Sequence, residues 1–188
     1  MEAQLRWRAF NVAEYHLMEE AGLFRDHPRV ELIDGKVLEM SPMGAQDAYC
    51  VMVIEQMLHE VVGKRAVISI QIPLRLDDLS EPEPDVAILR PPLRRYRSAI
   101  PTAADALLVI EVSETTLAFD RDTKSARYGT AGVPECWIVD LAGDEVLVMR
   151  NPCATGYGDI QRARRGDLLP LPGLSGIDVT AAALLGPA

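Results

Sequence analysis

Residues 106–113 read ALLVIEVS, with apolar side chains at both odd and even positions. A run of this kind fits a strand covered on both faces, at the centre of a sheet. By two-residue alternation Leu107, Val109 and Glu111 share one face, and Leu108, Ile110 and Val112 the other. Glu111 is the anomaly, because a carboxylate in a doubly covered strand is costly unless it is paired or binds a metal. Three readings stay open at this point: a strand end reaching solvent, a buried partner for an arginine, or a functional carboxylate.

The remaining segments surround that strand with an α/β (α+β) pattern. NVAEYHLMEEA at 11–21 predicts a short helix, with Asn11 and Glu14 spaced as a capping box and Gly22 as the stop. Asp34-Gly35 between two apolar segments predicts a β-hairpin. Val51, Ile54, Leu58 and Val61 recur at helical spacing in a second helix over 45–62. AVISIQIPLRL alternates as a strand, and EPEPDVAIL enters another after two prolines. Residues 117–131 predict a helix, and ECWIVD and EVLVMR two strands joined at Ala142-Gly143-Asp144.

From 151 to 188, ten of 38 residues are Gly or Pro, which predicts short strands and loops without a second core. The 188 residues carry no dividing linker, so a single domain over 1–188 is expected, with a mixed central sheet flanked by helices. Three dispersed cysteines predict neither a disulfide framework nor a thiolate zinc site. MEAQLRWRAF has no apolar core of a secretory signal, and no run is long enough to span a membrane, so a cytoplasmic location is expected.

Charge narrows the function classes. With 19 basic and 28 acidic residues the net charge is −9, which argues against coating nucleic acid or membrane by bulk charge. Only three lysines occur, Lys36, Lys64 and Lys124, so a mechanism that needs one has few candidates.

Asp85 opens the strand candidate next to the Glu111 strand, with Glu83 on its face. Two strands delivering a carboxylate each to one place would make an oxygen-ligand site suited to Mg²⁺, which takes one or two carboxylates and keeps several waters. Asp120, Lys124 and Tyr128 fall at i, i+4 and i+8 on one helical face. Lys124 is either a surface partner of Asp120 or a cation beside such a metal, offsetting charge in a phosphodiester transition state. Glu31 and Gln71 are polar positions in alternating apolar segments, explained by a solvated strand face or by the same site.

ELIDG (31–35), SP (41–42), SEPEPDVAIL (80–89), LLVIEVSETT (107–116), D-x-x-x-K (120–124) and AGVPECWIVD (131–140) follow one another in that order. Over roughly residues 10–150 the chain resembles the Uma-two family of restriction-endonuclease-like proteins, within the PD-(D/E)XK nuclease-like superfamily. The resemblance implies Mg²⁺-dependent endonuclease cleavage of DNA, with Mn²⁺ as a substitute. It makes Asp85 and Glu111 metal ligands, gives Glu31 and Gln71 assisting roles, and has Lys124 position or polarise the attacking water. It also implies a homodimer.

Two departures are visible. Ser113 stands at the superfamily's usual lysine position, a role that maps to Lys124, and Asp47 stands where the family often has His. Arg90, Arg94, Arg95 and Arg97 cluster around Tyr96, and Arg162, Arg164 and Arg165 form a second group. These arginines read either as phosphate contacts, with Tyr96 free to stack and the 90–103 loop as a substrate-facing flap, or as a solvated loop that solubilises the fold. Two other readings remain: a nuclease-fold module that binds nucleic acid or dimerises without cutting, and a metal-dependent hydrolase of smaller phosphate esters.

Overall fold

A computed structural model describes residues 7–26 and 29–186, so the first six residues of MEAQLRWRAF lie outside it. Helix α1 (Val12–Glu20) begins with the expected reciprocal cap. The Asn11 side chain accepts from the Glu14 N–H at 2.9 Å and the Glu14 carboxylate from the Asn11 N–H at 3.1 Å. Strands β1 (Val30–Ile33) and β2 (Lys36–Glu39) form the hairpin. Its turn residues Asp34 and Gly35 have φ of 53° and 71°, the left-handed pair that a type I′ turn demands.

Helix α2 (Ala45–Val62) buries Cys50, Val51, Ile54, Leu58 and Val62. Val61, expected on that stripe, is exposed, and Val62 takes its place one step further along. Strand β3 (Val67–Ile70) is shorter than AVISIQIPLRL suggested. It stops because Gln71 adopts a left-handed φ of 49°, which breaks the extended backbone.

Strands β4 (Val86–Leu89) and β5 (Ala106–Ser113) follow, and all eight residues of β5 are buried. Helix α3 (Leu117–Phe119), a π-helical turn (Asp120–Lys124) and helix α4 (Ser125–Thr130) lead to β6 (Glu135–Asp140). This segment is the crossover that a parallel strand pair needs. Next come β7 (Glu145–Cys153), β8 (Gly156–Ala163), β9 (Leu168–Pro170), β10 (Asp178–Thr180) and α5 (Ala181–Leu185).

The main sheet is mixed and six-stranded, in the order β3-β4-β5-β6-β7-β8. Only β5 and β6 run parallel. The tail supplies more than short strands, since the eight residues of β8 complete one edge of this sheet. Among the described residues no helix is long and apolar enough to cross a membrane.

Helices α2 and α5 cover one face of the sheet, and α4 with the 74–76 and 103 segments covers the other. Strict alternation fails at one point of β5. Ile88 pairs with Leu108 but Leu89 with Ala106, so Leu107 is bulged out of the ladder and joins the α2 side. Val109 and Glu111 keep the α4 face. Leu108, Val109 and Ile110 are wholly buried, each contributing about 1.5–3 kcal/mol. Together these offset the cost of carrying a carboxylate in the same strand.

Helix α4 approaches β8 so closely that a Cβ on Gly129 would lie 2.2 Å from the Gly156 carbonyl oxygen. Gly129→Ala is therefore expected to destabilise the protein by about 1–3 kcal/mol through overpacking. Urea denaturation measures this, and an unchanged midpoint would contradict the close approach.

Candidate active site

Three strand ends meet at one end of the sheet. Register places Ile70 beside Val86 and Val86 beside Ile110, so Gln71, Asp85 and Glu111 follow at the same edge. Asp85 is stitched to β5: its Oδ2 accepts from the Val112 N–H at 2.9 Å, and its own N–H donates to Glu111 Oε2 at 3.3 Å. Gln71 holds it from the other side. The Gln71 N–H donates to the Asp85 carbonyl at 3.2 Å, and the side-chain amide reaches Asp85 Oδ1 at 3.5 Å. The left-handed turn that ends β3 thus directs Gln71 onto Asp85.

The crossover helix brings the cation. The Ser125 N–H donates to the Asp120 carbonyl five residues earlier, the mark of a π-turn, a feature frequent at functional sites. Asp120 anchors this turn to β5, accepting from the Ser113 and Thr116 hydroxyls at 2.6 Å each. Lys124 is only 3% exposed. Its Nζ lies 2.9 Å from Glu111 Oε1, 3.3 Å from Glu31 Oε1 and 3.3 Å from the Glu83 carbonyl. Tyr128, one turn on, donates to Glu111 Oε1 at 2.6 Å. The β1–β2 hairpin supplies Glu31, whose Oε2 is buried without a hydrogen-bond partner.

A cleft of about 190 Å³ opens over these groups. Seven carboxylates line it (Glu31, Asp47, Glu83, Asp85, Glu111, Glu114 and Asp120), against two cations, Arg29 and Lys124. Burial pushes the Glu111 carboxyl up to about 8, against the opposing pull of Lys124. Burial likewise raises Asp85, Glu31 and Glu83 above the ordinary carboxylate range. Lys124 is pushed up instead: burial opposes its charge, but Glu111, Glu31, Asp120 and Asp85 together outweigh that penalty. One ammonium cannot compensate so many carboxylates in a desolvated space.

The donor set suits a hard, oxygen-seeking cation: it is all carboxylate, it is in charge excess, and it has an orphaned oxygen on Glu31. Asp85 and Glu111, side by side at the ends of β4 and β5, are the residues that could hold one. Among the described residues no group of three or more His, Cys, Asp or Glu is drawn into a ready-made ligand cage. Two carboxylates and solvent are what Mg²⁺ asks for, so the arrangement remains compatible with that ion.

Of the residues singled out in the sequence, Glu31, Gln71, Asp85, Glu111 and Lys124 come together. The arginine cluster does not join them. Arg90 follows the far end of β4 from Asp85, with its guanidinium on the Ala104 carbonyl at 3.1 Å. Arg95 pairs with Asp105 at 2.7 Å, Arg94 is exposed, and Arg97 lines a separate groove with Ile68 and Leu93. Tyr96 is not a free stacking ring, because its hydroxyl donates to the Arg90 carbonyl at 2.7 Å and its ring packs on the core.

The second arginine group is occupied by acids. Arg162 and Arg164 pair with Glu145, and Arg165 pairs with Asp144. Asp47 lines the cleft in the first turn of α2, where burial and the neighbouring Glu114 raise its carboxyl. Sequence reasoning left Arg29 unmentioned. Its available signal was alternation, since Arg29 and Glu31 share one face of the hairpin.

A mixed sheet with helices on both faces, carboxylates at the ends of adjacent central strands and a lysine brought to them by the crossover make a restriction-endonuclease-like fold. The family described as "Putative restriction endonuclease", Uma2, matches residues 12–182, and the chain belongs to that family. The chain is also similar to a crystal structure described as a putative nuclease belonging to DUF820 from Anabaena variabilis ATCC 29413. The two share 16% identity over 84% of this chain and 90% of that one, with a TM-score of 0.66, a likeness of fold. No curated protein matches the chain.

Proposed function

We propose that this protein is a Mg²⁺-dependent endonuclease that hydrolyses DNA phosphodiester bonds, with Mn²⁺ able to substitute. The observation that carries the reading is the meeting of Asp85, Glu111, Glu31 and Lys124 in one acidic cleft at the ends of adjacent strands. Asp85 and Glu111 hold the cation. When bound, Mg²⁺ supplies Lewis-acid charge that offsets negative charge building on the phosphate.

The chain's own groups prepare that site. Lys124 and Tyr128 fix the Glu111 carboxylate from two directions, while Val112 and Gln71 fix Asp85. Asp120 ties the π-turn to Ser113, which sets where the Lys124 ammonium stands. From there the ammonium, with its three donors on Glu111, Glu31 and the Glu83 carbonyl, fixes the carboxylates that orient a water entering the cleft, and one of the excess carboxylates takes up its proton. A homodimer in the cytoplasm, presenting one site to each strand of a duplex, completes the reading.

Cleavage of supercoiled plasmid in Mg²⁺ or Mn²⁺ tests it, with Asp85→Ala as the control for metal binding. Wild type that never nicks DNA under these conditions would end the proposal. Tyr128→Phe removes one of the groups orienting Glu111 and is expected to weaken Mn²⁺ binding about 10–100-fold. Calorimetry reads this directly, and unchanged affinity would remove Tyr128 from the site.

One observation favours a second reading, a nuclease-fold module that holds nucleic acid without cutting. Lys124 is sealed among protein acceptors, which leaves it poorly placed to reach a water. Salt-dependent DNA binding without cleavage by wild type would select this alternative.

A further inference from the structure

A phosphodiester is an anion, and the proposed site is walled by seven carboxylates. One bound divalent cation cannot balance that wall and a phosphate as well, so a protein cation must meet the substrate. Lys124 does not serve. An ammonium has three donors, and here they are committed to Glu111, Glu31 and the Glu83 carbonyl. Both arginine clusters of the sequence lie elsewhere or are paired with acids.

Arg29 is the remaining cation of the cleft wall. It is half-buried, and among the described residues its guanidinium has no hydrogen-bond or ion-pair partner. Its charge is felt in the cleft, since it pulls the Glu83 carboxyl downward against burial. Its backbone is held firmly. The Arg29 carbonyl accepts from the Met40 N–H at 2.8 Å, closing the open end of the hairpin. The hairpin is fastened in turn by Glu81 N–H to the Leu32 carbonyl at 2.7 Å and by Gly35 N–H to the Leu79 carbonyl at 2.8 Å.

A planar guanidinium with free donors, on a fixed backbone beside Glu31, matches the paired oxygens of a phosphate. We infer that Arg29 is the phosphate-holding residue of the cleft, binding the non-bridging oxygens of the scissile or adjacent phosphodiester. The inference rests on the nuclease reading and names the group that admits an anionic substrate to an acidic site.

The test uses the full chain, wild type against Arg29→Gln and Arg29→Lys, with folding checked by thermal melts. Binding of a labelled DNA duplex is followed by anisotropy in Ca²⁺ across a salt series. Arg29→Gln is expected to bind about tenfold more weakly and to lose ~0.9 from the log–log salt slope, the signature of one lost phosphate contact. Arg29→Lys should recover part of the affinity. In cleavage assays KM for duplex DNA, and for bis(4-nitrophenyl) phosphate as a small diester, should rise in Arg29→Gln.

Mn²⁺ affinity by calorimetry should not fall, which separates this role from metal binding. If the KM effect is seen for DNA alone, Arg29 holds a neighbouring phosphate of the polymer; if for both substrates, it holds the scissile one. Equal affinity, slope and KM in wild type and Arg29→Gln overturn the inference and leave the metal site intact. Loss of metal binding or cleavage in wild type overturns the site reading alone, because the salt slope still reports on Arg29.

Discussion

Lys124→Met is expected to cost about 3–5 kcal/mol of stability and to abolish metal-dependent cleavage together. The ammonium stands 2.9 Å from Glu111 and 3.3 Å from Glu31, and both carboxylates are almost completely enclosed. Above about pH 8, where Glu111 would otherwise ionise, removing it leaves buried carboxylates with no counterion, a much larger loss than that of a surface pair. The double variant Lys124→Met with Glu31→Gln should recover part of the stability and none of the cleavage, because the charge is relieved but the site is not rebuilt. Urea denaturation of the three proteins measures the coupling. A Lys124→Met protein as stable as wild type would mean that the carboxylates hold protons in the native state and need no cation.

Glu111→Gln should have the opposite effect on stability and an equally severe one on activity. The amide keeps one oxygen to accept from the Tyr128 hydroxyl, gives up the acceptor that faces the Asp85 N–H, and removes a charge that burial disfavours. In the folded protein the Glu111 carboxyl is raised from 4.5 to about 8, so the native state binds this proton more tightly than the unfolded chain does. Without metal, the resulting stability is fully present below 4.5 and is lost as pH rises through about 8. Glu111→Gln cannot ionise and should escape that loss, melting higher than wild type at pH 8–9 in EDTA. Its Mn²⁺ affinity and plasmid cleavage should fall by more than the ~10–100-fold expected for an orienting partner. Equal cleavage by Glu111→Gln and wild type would remove Glu111 from the metal site.

These two variants separate stability from function. Acids are crowded where folding alone would place apolar groups, so a neutral replacement is expected to stabilise the metal-free protein while disabling it. In the proposed mechanism Tyr128 and Asp120 act at one remove, Tyr128 by holding Glu111 and Asp120 by anchoring the turn that carries Lys124.

Much of this was legible in the chain because it rests on local rules. ALLVIEVS reads as a central strand, Asp34-Gly35 as a hairpin turn and Asn11 with Glu14 as a helix cap, since each depends on residues within a few positions. The scarcity of lysine singled out Lys124, and helical spacing put it on one face with Asp120 and Tyr128. What escaped has a common physical cause. The Leu107 bulge, the left-handed Gln71 and the π-turn are departures from a regular period, and they are stabilised by contacts distant in sequence. The 90–97 arginines looked adjacent to Asp85, yet a strand carries the chain about 3.3 Å per residue, so Arg90 emerges at the opposite end of β4.

By itself the sequence determined that a doubly covered strand carries a carboxylate near its end, that a second carboxylate begins a neighbouring strand, and that one lysine was available to both. Only the tertiary structure decided that Lys124 is sealed between Glu111 and Glu31, and that Arg29 is the cation left facing the cleft. Periodicity is a property of neighbouring residues. The partner of a charge depends on which distant segments pack together, and on how much water they exclude.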